Sequence, residues 1–182
     1  EYAACRQPGA VKVPFWLQPE TYYVGQACFS PDARWMGLPH EWKLGQDLST
    51  IVDRSRKADP IQIPGLIAGF LDHSHFLSWD RSRQHWLVGS LDTFALQSVP
   101  RLAHLPGATE AVLSSDASIL ALRDLDEHIV VIRMSDARVL GRSSAAANTF
   151  SLSADGRVVG LVYESSIVRW EPATRRSEEH TS

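Results

Sequence analysis

Short apolar runs alternate with tight polar turns along this chain, and one such unit recurs. Residues 111–122 read AVLSSDASILAL, in which two apolar runs flank a cluster of small polar residues. Two short apolar strands around a turn of this kind are typical of a β-hairpin. Residues 150–161, FSLSADGRVVGL, and residues 29–38, FSPDARWMGL, repeat the pattern. The chain is therefore predicted to be built from repeated hairpins.

A fourth copy, around His73, is degenerate. The turns of the four hairpins recur 41, 43 and 39 residues apart. The turn positions are Asp32, His73, Asp116 and Asp155. A third strand follows each hairpin, and its end recurs 39, 41 and 38 residues apart, at Val52, Leu91, Ile132 and Trp170. A fourth strand is predicted in the first three units, at residues 61–63, 94–97 and 138–140. Two independent markers with one period indicate an internal repeat.

Four short strands per repeat of about 40 residues predict an all-β chain. The prediction is a β-propeller fragment of about four blades, each blade a four-stranded antiparallel sheet. A helical alternative requires apolar residues at i, i+3, i+4 and i+7, and Pro, Gly or Asp turns interrupt every such window. A β-sandwich also has evenly spaced short strands, but it does not require a repeating four-strand cassette.

The repeats resemble those of WD-type propellers. FSPDARWMG and FSLSADGRVVG are similar to the hairpin between the first two strands of such a blade. SIVRWEPATRR resembles a third strand that closes with a Trp-Asp pair, here Trp170–Glu171. The likeness covers about residues 21–175. It implies a fold rather than one activity, because this architecture serves many unrelated functions.

The closing pair departs from the family pattern in the other units. They have an aliphatic residue in place of the tryptophan, and Arg133 replaces the acidic partner in the third unit. His104 is the nearest candidate for the Gly-His pair that precedes a first strand in this family, and it lacks the glycine. The hydrogen-bonded tetrad of WD blades is therefore expected to be absent.

The domain organisation follows from the repeats. Residues 1–20 are interpreted as the end of a preceding blade or a linker, and the partial propeller covers residues 21–175. Its units lie at about residues 21–63, 64–105, 106–144 and 145–175. Residues 176–182, RSEEHTS, resemble a translated sequencing-library adapter and are predicted to be a non-native tail that ends the fourth unit before its last strand. The chain is therefore expected to belong to a longer propeller, with Ile167, Val168 and Trp170 exposed on its last blade.

Composition and charge narrow the class of partner. A net charge of −3 provides no basic footprint for nucleic acid. No apolar stretch approaches the ~18 residues of a membrane span. Two cysteines without CxxC spacing are too few for a disulfide framework. These observations favour a protein partner, or another domain of the same chain, over nucleic acid or a membrane span.

Motifs that carry chemistry are sparse. The sequence has no GxSxG, HExxH, Walker loop or paired CxxC, so it predicts no catalytic residue, no metal site and no cofactor. The nearest cluster for a metal is Asp72, His73 and His75, which occupies a turn where polar residues are expected anyway. Glu110 and Asn148 precede two first strands and are the candidates for a central-channel site. They keep a propeller-fold enzyme or ligand sensor open as the alternative function.

Aromatic residues separate into packing positions and one loop position. Trp35, Trp79, Trp86 and Trp170 lie on predicted strands and are expected to pack between blades. Trp42 instead falls in HEWKLGQD, the longest connection between second and third strands. Binding residues concentrate on loops, and Trp is enriched at binding hot spots. The predicted function is a non-catalytic interaction scaffold, with its candidate partner contacts at His40, Glu41, Trp42 and Lys43; a Trp42 that covers its own blade is the alternative.

Overall fold

A computed structural model describes residues 27–39, 48–56 and 58–172, and the backbone of residues 176–181. It contains sixteen strands in these ranges, in four antiparallel sheets of four, and each sheet follows chain order. We call the sheets blades 1 to 4. Blade 1 has β1 (Cys28–Phe29), β2 (Trp35–Pro39), β3 (Leu48–Asp53) and β4 (Ile61–Pro64). Blade 2 has β5 (Leu66–Phe70), β6 (His75–Asp80), β7 (His85–Ser90) and β8 (Leu96–Ser98).

The other two blades repeat this arrangement. Blade 3 has β9 (Glu110–Leu113), β10 (Ile119–Arg123), β11 (Ile129–Arg133) and β12 (Arg138–Arg142). Blade 4 has β13 (Thr149–Leu152), β14 (Val159–Val162), β15 (Ser166–Glu171) and β16 (Arg176–Thr181). A single 3₁₀ turn, Pro100–Leu102, is the only helical element among the described residues. The prediction of an all-β chain of four four-stranded antiparallel sheets is confirmed.

Three hydrophobic clusters join the blades face to face. Blades 1 and 2 meet around Ile67 and Phe76, and blades 3 and 4 around Val131 and Phe150. The largest cluster lies between blades 2 and 3. Alternate residues of a strand point to opposite faces of its sheet, so Leu120 and Leu122 serve one cluster while Ala121 serves the next. Each inner blade is therefore buried on both faces.

The first strands of neighbouring blades lie side by side, β1 with β5, β5 with β9 and β9 with β13. Glycine permits this close approach. A Cβ on Gly69 would lie 2.6 Å from the Leu113 Cβ, so no larger residue fits between blades 2 and 3. The next pair of hairpins is joined directly, since the Ser115 amide donates to the Ala154 carbonyl at 3.0 Å.

The hairpin turns share one hydrogen-bonding scheme in blades 1, 3 and 4. In blade 3, the Ser114 hydroxyl donates to the Asp116 carboxylate at 2.7 Å and accepts from the Ile119 amide at 2.9 Å. Asp116 also accepts from the Ser118 amide at 3.0 Å. The residue after the aspartate is left-handed in each case, with φ of 55°, 56° and 69° at Ala33, Ala117 and Gly156. The predicted equivalence of the hairpins is confirmed for these three of the four blades.

Blade 2 differs from the sequence prediction in its third and fourth strands. Its third strand pairs Gly89 with Phe76, where blade 3 pairs Ile132 with Leu120, so Gly89 and not Leu91 is the equivalent residue. The Phe76 ring fills this volume, since a Cβ on Gly89 would lie 2.0 Å from its Cζ. The predicted fourth strand at 94–97 begins only at Leu96, because Phe94 is a left-handed turn residue with φ of 54°.

Blade 4 also departs from expectation. The sequence analysis predicted no fourth strand here, but the sheet has one: β16 pairs with β15 over six residues. Without β16, the outer edge of β15 would present unpaired backbone donors and acceptors, and any extended segment can pair with such an edge. The exposure prediction is wrong for Trp170, which is 9% exposed and packs on blade 3, and for half-buried Val168. Only Ile167, on the opposite face of β15, is exposed, at 56%.

The four strand tryptophans pack between blades, as expected from their positions on strands. Trp35 lies between blades 1 and 2, Trp79 and Trp86 between blades 2 and 3, and Trp170 between blades 3 and 4. Trp79 and Trp86 pair across β6 and β7 with ring centroids 5.3 Å apart. These side chains belong to the interfaces between blades.

Candidate functional site

The predicted contact residues His40, Glu41, Trp42 and Lys43 lie outside the residues that the structure describes. The strands around them are described, and the Pro39–Ser49 pair holds the ends of β2 and β3 together. Residues 40–47 make the longest of the four connections between second and third strands; the corresponding connection in blade 4 is residues 163–165. The partner-contact role of this loop stays a prediction.

Glu110, a candidate for a central-channel site, is engaged by a buried arginine. Its carboxylate accepts from the Arg123 guanidinium, with Oε2 3.2 Å from Nη2. The side chains of Arg123 and Glu110 are 9% and 14% exposed. A second carboxylate, of Glu127, lies 3.5 Å from Arg123 Nη1. Glu110 is therefore a structural partner of Arg123 rather than a free acid or base.

The same guanidinium joins blade 3 to blade 4. Arg123 donates to the backbone carbonyls of Ala147 and Asn148, and it lies over the Phe150 ring, 5.7 Å from the centroid. Asn148, the other channel candidate, contributes its backbone: its carbonyl accepts from Arg123 and its amide donates to Val162. Sequence analysis missed Arg123. A charged residue at the end of an apolar strand, as in ILALR, is a signal that could have found it.

The cluster of Asp72, His73 and His75 lies in the hairpin turn of blade 2, and its hydrogen bonds are made within that turn. The Asp72 carboxylate accepts from the Ser74 amide at 2.7 Å, and both of its oxygens lie 3.0 Å from His75 Nδ1. Asp72, rather than His73, thus has the capping role that Asp116 has in blade 3. Within the described ranges, no three His, Cys, Asp or Glu side chains are grouped to hold a metal ion.

A groove of about 770 Å³ opens between blades 3 and 4. Its apolar wall combines Leu140 of β12 with Leu161, Val168 and Trp170 of blade 4. The polar side includes Arg142, whose guanidinium lies 2.8 Å from Asp124 and 3.0 Å from Asp126. Sequence analysis did not predict this groove.

Comparisons with known proteins decide the architecture. No family model and no curated protein matches this sequence. Among solved structures, the chain is similar to the β-propeller domain of Cps50 (Swd1) from Myceliophteria thermophila, with 10% sequence identity and a TM-score of 0.57. The match covers 86% of this chain and 57% of that one. The fold is a β-propeller. At this identity the likeness establishes the fold alone.

In a propeller the first strands surround the central channel. Beside β1, β5 and β9 lies a pocket of about 230 Å³, lined by small and apolar residues such as Cys28, Ala68 and Val112. Burial raises the pKa of the Cys28 thiol to about 12, and the thiol donates to the Gly37 carbonyl at 3.7 Å. Such a thiol is a poor nucleophile at neutral pH, because the thiolate is the reactive form.

Membrane insertion by a helix finds no support in the described part of the chain, where none of the helical structure is long and apolar enough for a span. The exposed charges are mostly paired locally. The Arg133 Nη2 atom lies 2.8 Å from Asp136 Oδ2, and the Arg34 Nη2 atom lies 2.9 Å from Asp53 Oδ2. Such pairs neutralise part of the charge on the described surface.

Proposed function

We propose that this chain is a non-catalytic interaction module of a larger multidomain protein, a propeller with degenerate WD-type repeats. Its partner is a protein, or another domain of its own chain. The blades supply a rigid frame, and the loops between strands supply the contacts. Functional residues in many folds are arranged in this way, on loops positioned by a scaffold.

The observation that carries the proposal is the use of Glu110 and Arg123. Glu110 begins the inner strand β9 and is paired with Arg123, and Arg123 holds blades 3 and 4 together. An acid–base catalyst needs a titratable group that is free to exchange a proton with substrate. Along the inner strands that the structure describes, the small pocket is lined by apolar and small side chains instead. This arrangement favours binding over catalysis.

The second support is the connection at residues 40–47, the longest between second and third strands. It carries His40, Glu41, Trp42 and Lys43, and a tryptophan flanked by charged residues has the composition of a binding hot spot. The pairing of β2 with β3 anchors both ends of this loop. We assign the primary partner contact to these four residues.

Site-specific photo-cross-linking tests the proposal. Benzoylphenylalanine replaces Trp42 in the native full-length protein, and irradiation in the source cells should give a discrete cross-linked protein product. The matched control carries the cross-linker at Arg157, an 85% exposed side chain in a blade 4 turn, and should give none of that product.

Trp42→Ala provides the second arm. We expect Trp42→Ala to reduce co-purification of the partner that the cross-link identifies at least tenfold, without changing the melting temperature of the protein. Absence of any product from Trp42, or the same products from both positions, would show that this loop is not the contact.

A further inference from the structure

The groove between blades 3 and 4 has a counterpart between blades 2 and 3, and that counterpart is filled. The two connections start at equivalent points, because the Val99 amide donates to the Trp86 carbonyl just as the Ser143 amide donates to the Ile129 carbonyl. The first connection then runs for eleven residues, 99–109, before β9 begins. The second runs for six residues, 143–148, before β13. The longer loop thus has five additional residues.

Those additional residues fill the interface between blades 2 and 3. The 3₁₀ turn Pro100–Leu102 directs Leu102 inward, and Leu105 follows three residues later. Both leucines are buried in the cluster that contains Val130 and Ile132 of blade 3. The His104 ring adds a polar contact, with Nε2 3.2 Å from the Ala137 carbonyl.

Blade 4 presents the equivalent apolar wall, and none of the residues that the structure describes covers it. The registers of β10 with β11 and of β14 with β15 make Val168 and Trp170 the equivalents of Val130 and Ile132. Val168 and Trp170 line the open groove, whereas Val130 and Ile132 are covered by the leucine loop. The groove is therefore the volume that a leucine-bearing turn occupies one blade earlier.

Charge at the groove complements such a segment. Asp126 of blade 3 is 80% exposed and pairs with the groove residue Arg142, and Glu164, which follows the groove residue Tyr163, is exposed as well. The Arg142 guanidinium lies 2.8 Å from Asp124 and 3.0 Å from Asp126, so this cluster of one cation and two carboxylates has an excess of negative charge beside the groove. The filling loop VPRLAHLPGAT contains an arginine and a histidine and no acidic residue. Opposite charges of this kind favour association in one orientation.

We propose that this groove binds a one-turn segment of a partner protein that presents two leucine-like side chains three residues apart, next to a basic residue. This inference rests on the proposed interaction function and names a second contact surface for it. The binding segment reproduces in trans what Leu102 and Leu105 do in cis. Burying two aliphatic side chains from a flexible peptide gives a dissociation constant on the order of 100 μM.

The test uses a fluorescein-labelled peptide VPRLAHLPGAT and the native chain, with binding followed by fluorescence anisotropy. We expect saturable binding, and at least tenfold weaker binding of a peptide in which both leucines are alanine. Val168→Asp in the groove wall should weaken binding of the original peptide at least tenfold. Ile167→Asp is the matched control, because Ile167 directly precedes Val168 in β15 and its side chain lies on the opposite face of the sheet.

A loop graft keeps the test independent of the stability of Val168→Asp. Residues 143–148 are replaced by residues 99–109, which should fill the groove in cis and abolish peptide binding in a folded protein. Absence of binding to the native chain at 1 mM peptide would overturn the proposal. Equal weakening by Val168→Asp and Ile167→Asp, or undiminished binding to a folded graft, would overturn it too.

The two proposals fail separately. If the peptide does not bind but the cross-link at Trp42 persists, the groove assignment is wrong and the interaction function stands. If the peptide binds at the groove and Trp42 gives no product, the contact loop is wrong and the groove is the interaction surface.

Discussion

At the scale of single residues, the recurring Ser-x-Asp turn explains why hairpins form where they do. Each serine bridges its aspartate to the amide of the second strand, as Ser30 does with Asp32 at 2.6 Å and Trp35 at 2.9 Å. These bonds to the ionised form lower the pKa values of Asp32, Asp116 and Asp155, with the serine hydroxyl as the largest cause. The turn is thus specified by local chemistry, independently of the rest of the blade.

The residue after each aspartate is the strained part of this turn. A left-handed conformation disfavours any residue with a Cβ by roughly 1–2 kcal/mol. Gly156 is the residue best suited to it, and its position is doubly constrained. A Cβ there would lie 2.5 Å from Ile119 Cγ1 of blade 3. Ala33 and Ala117 adopt the same conformation without the advantage of glycine.

Ala33→Gly should therefore raise the free energy of unfolding by about 0.5 kcal/mol, because relief of the left-handed strain outweighs the added flexibility of the unfolded chain. The exposed Ala33 side chain gives up little packing. Urea denaturation measures the change. Ala154→Gly is the control: it is an exposed turn residue outside the left-handed region, so glycine should lower the stability there. A change of the same sign in both variants would contradict the argument.

At the scale of elements, an ion pair ties the start of the second strand to the end of the third in blade 1. The Arg34 guanidinium donates to the buried Asp53 carboxylate at 2.9 Å, and the Ser55 amide and hydroxyl donate to it at 2.9 and 2.6 Å. Arg34 is the main cause that lowers the pKa of Asp53 to about 2 from its ordinary value of 3.8. Ionised Asp53 thus stabilises the folded blade.

The sign of the pH effect follows from that shift. Since the folded-state pKa is depressed, the contribution of Asp53 is fully present above about pH 4 and is lost as pH falls toward about 2. Arg34→Met should raise the pKa of Asp53 toward its ordinary value and reduce the loss of stability in this window. Urea unfolding between pH 5 and pH 2, with NMR titration of the Asp53 carboxyl, measures both effects. Arg138→Met, at an exposed site on β12, should leave the titration of Asp53 unchanged.

At the scale of the whole molecule, stability resides in the interfaces between blades. Each blade contributes apolar side chains to a cluster shared with its neighbour, so stability depends on nearest-neighbour contacts as in other repeat proteins. The interface of blades 3 and 4 differs because a buried arginine crosses it. Arg123 satisfies the carbonyls of Ala147 and Asn148 and neutralises Glu110.

Removing that arginine should release blade 4 from the others. Arg123→Met leaves Glu110 as a buried charge without its main partner, which costs about 3 kcal/mol. Hydrogen exchange should then accelerate at the amides of β13, β14 and β15 while those of blade 2 keep their protection. The control is Arg142→Met at the same interface, half-exposed in its pairs with Asp124 and Asp126 and worth about 1 kcal/mol or less. Equal acceleration in all four blades would show that Arg123 does not act at this interface.

The sequence by itself determined the number of blades, the equivalence of the hairpins in blades 1, 3 and 4, and the packing of Trp35, Trp79 and Trp86 between blades. These features depend on local chemistry: the alternation of side chains along a strand, and the Ser-x-Asp turn. The sequence prediction failed in blade 2, where Gly89 rather than Leu91 faces Phe76. Register there depends on the volume of a ring on the neighbouring strand, which a single-strand pattern does not contain.

Only the tertiary structure decided which polar residues are available for function. Glu110 was a channel candidate by position, and it became a structural partner because Arg123, thirteen residues away, folds back against it. The groove between blades 3 and 4 also depends on tertiary structure, because its walls come from β12, β14 and β15. Among the described residues it stays open because the connection at 143–148 is shorter than the one at 99–109. Local patterns specify strands and turns, whereas sites arise where separate elements meet, and those meetings are fixed by packing.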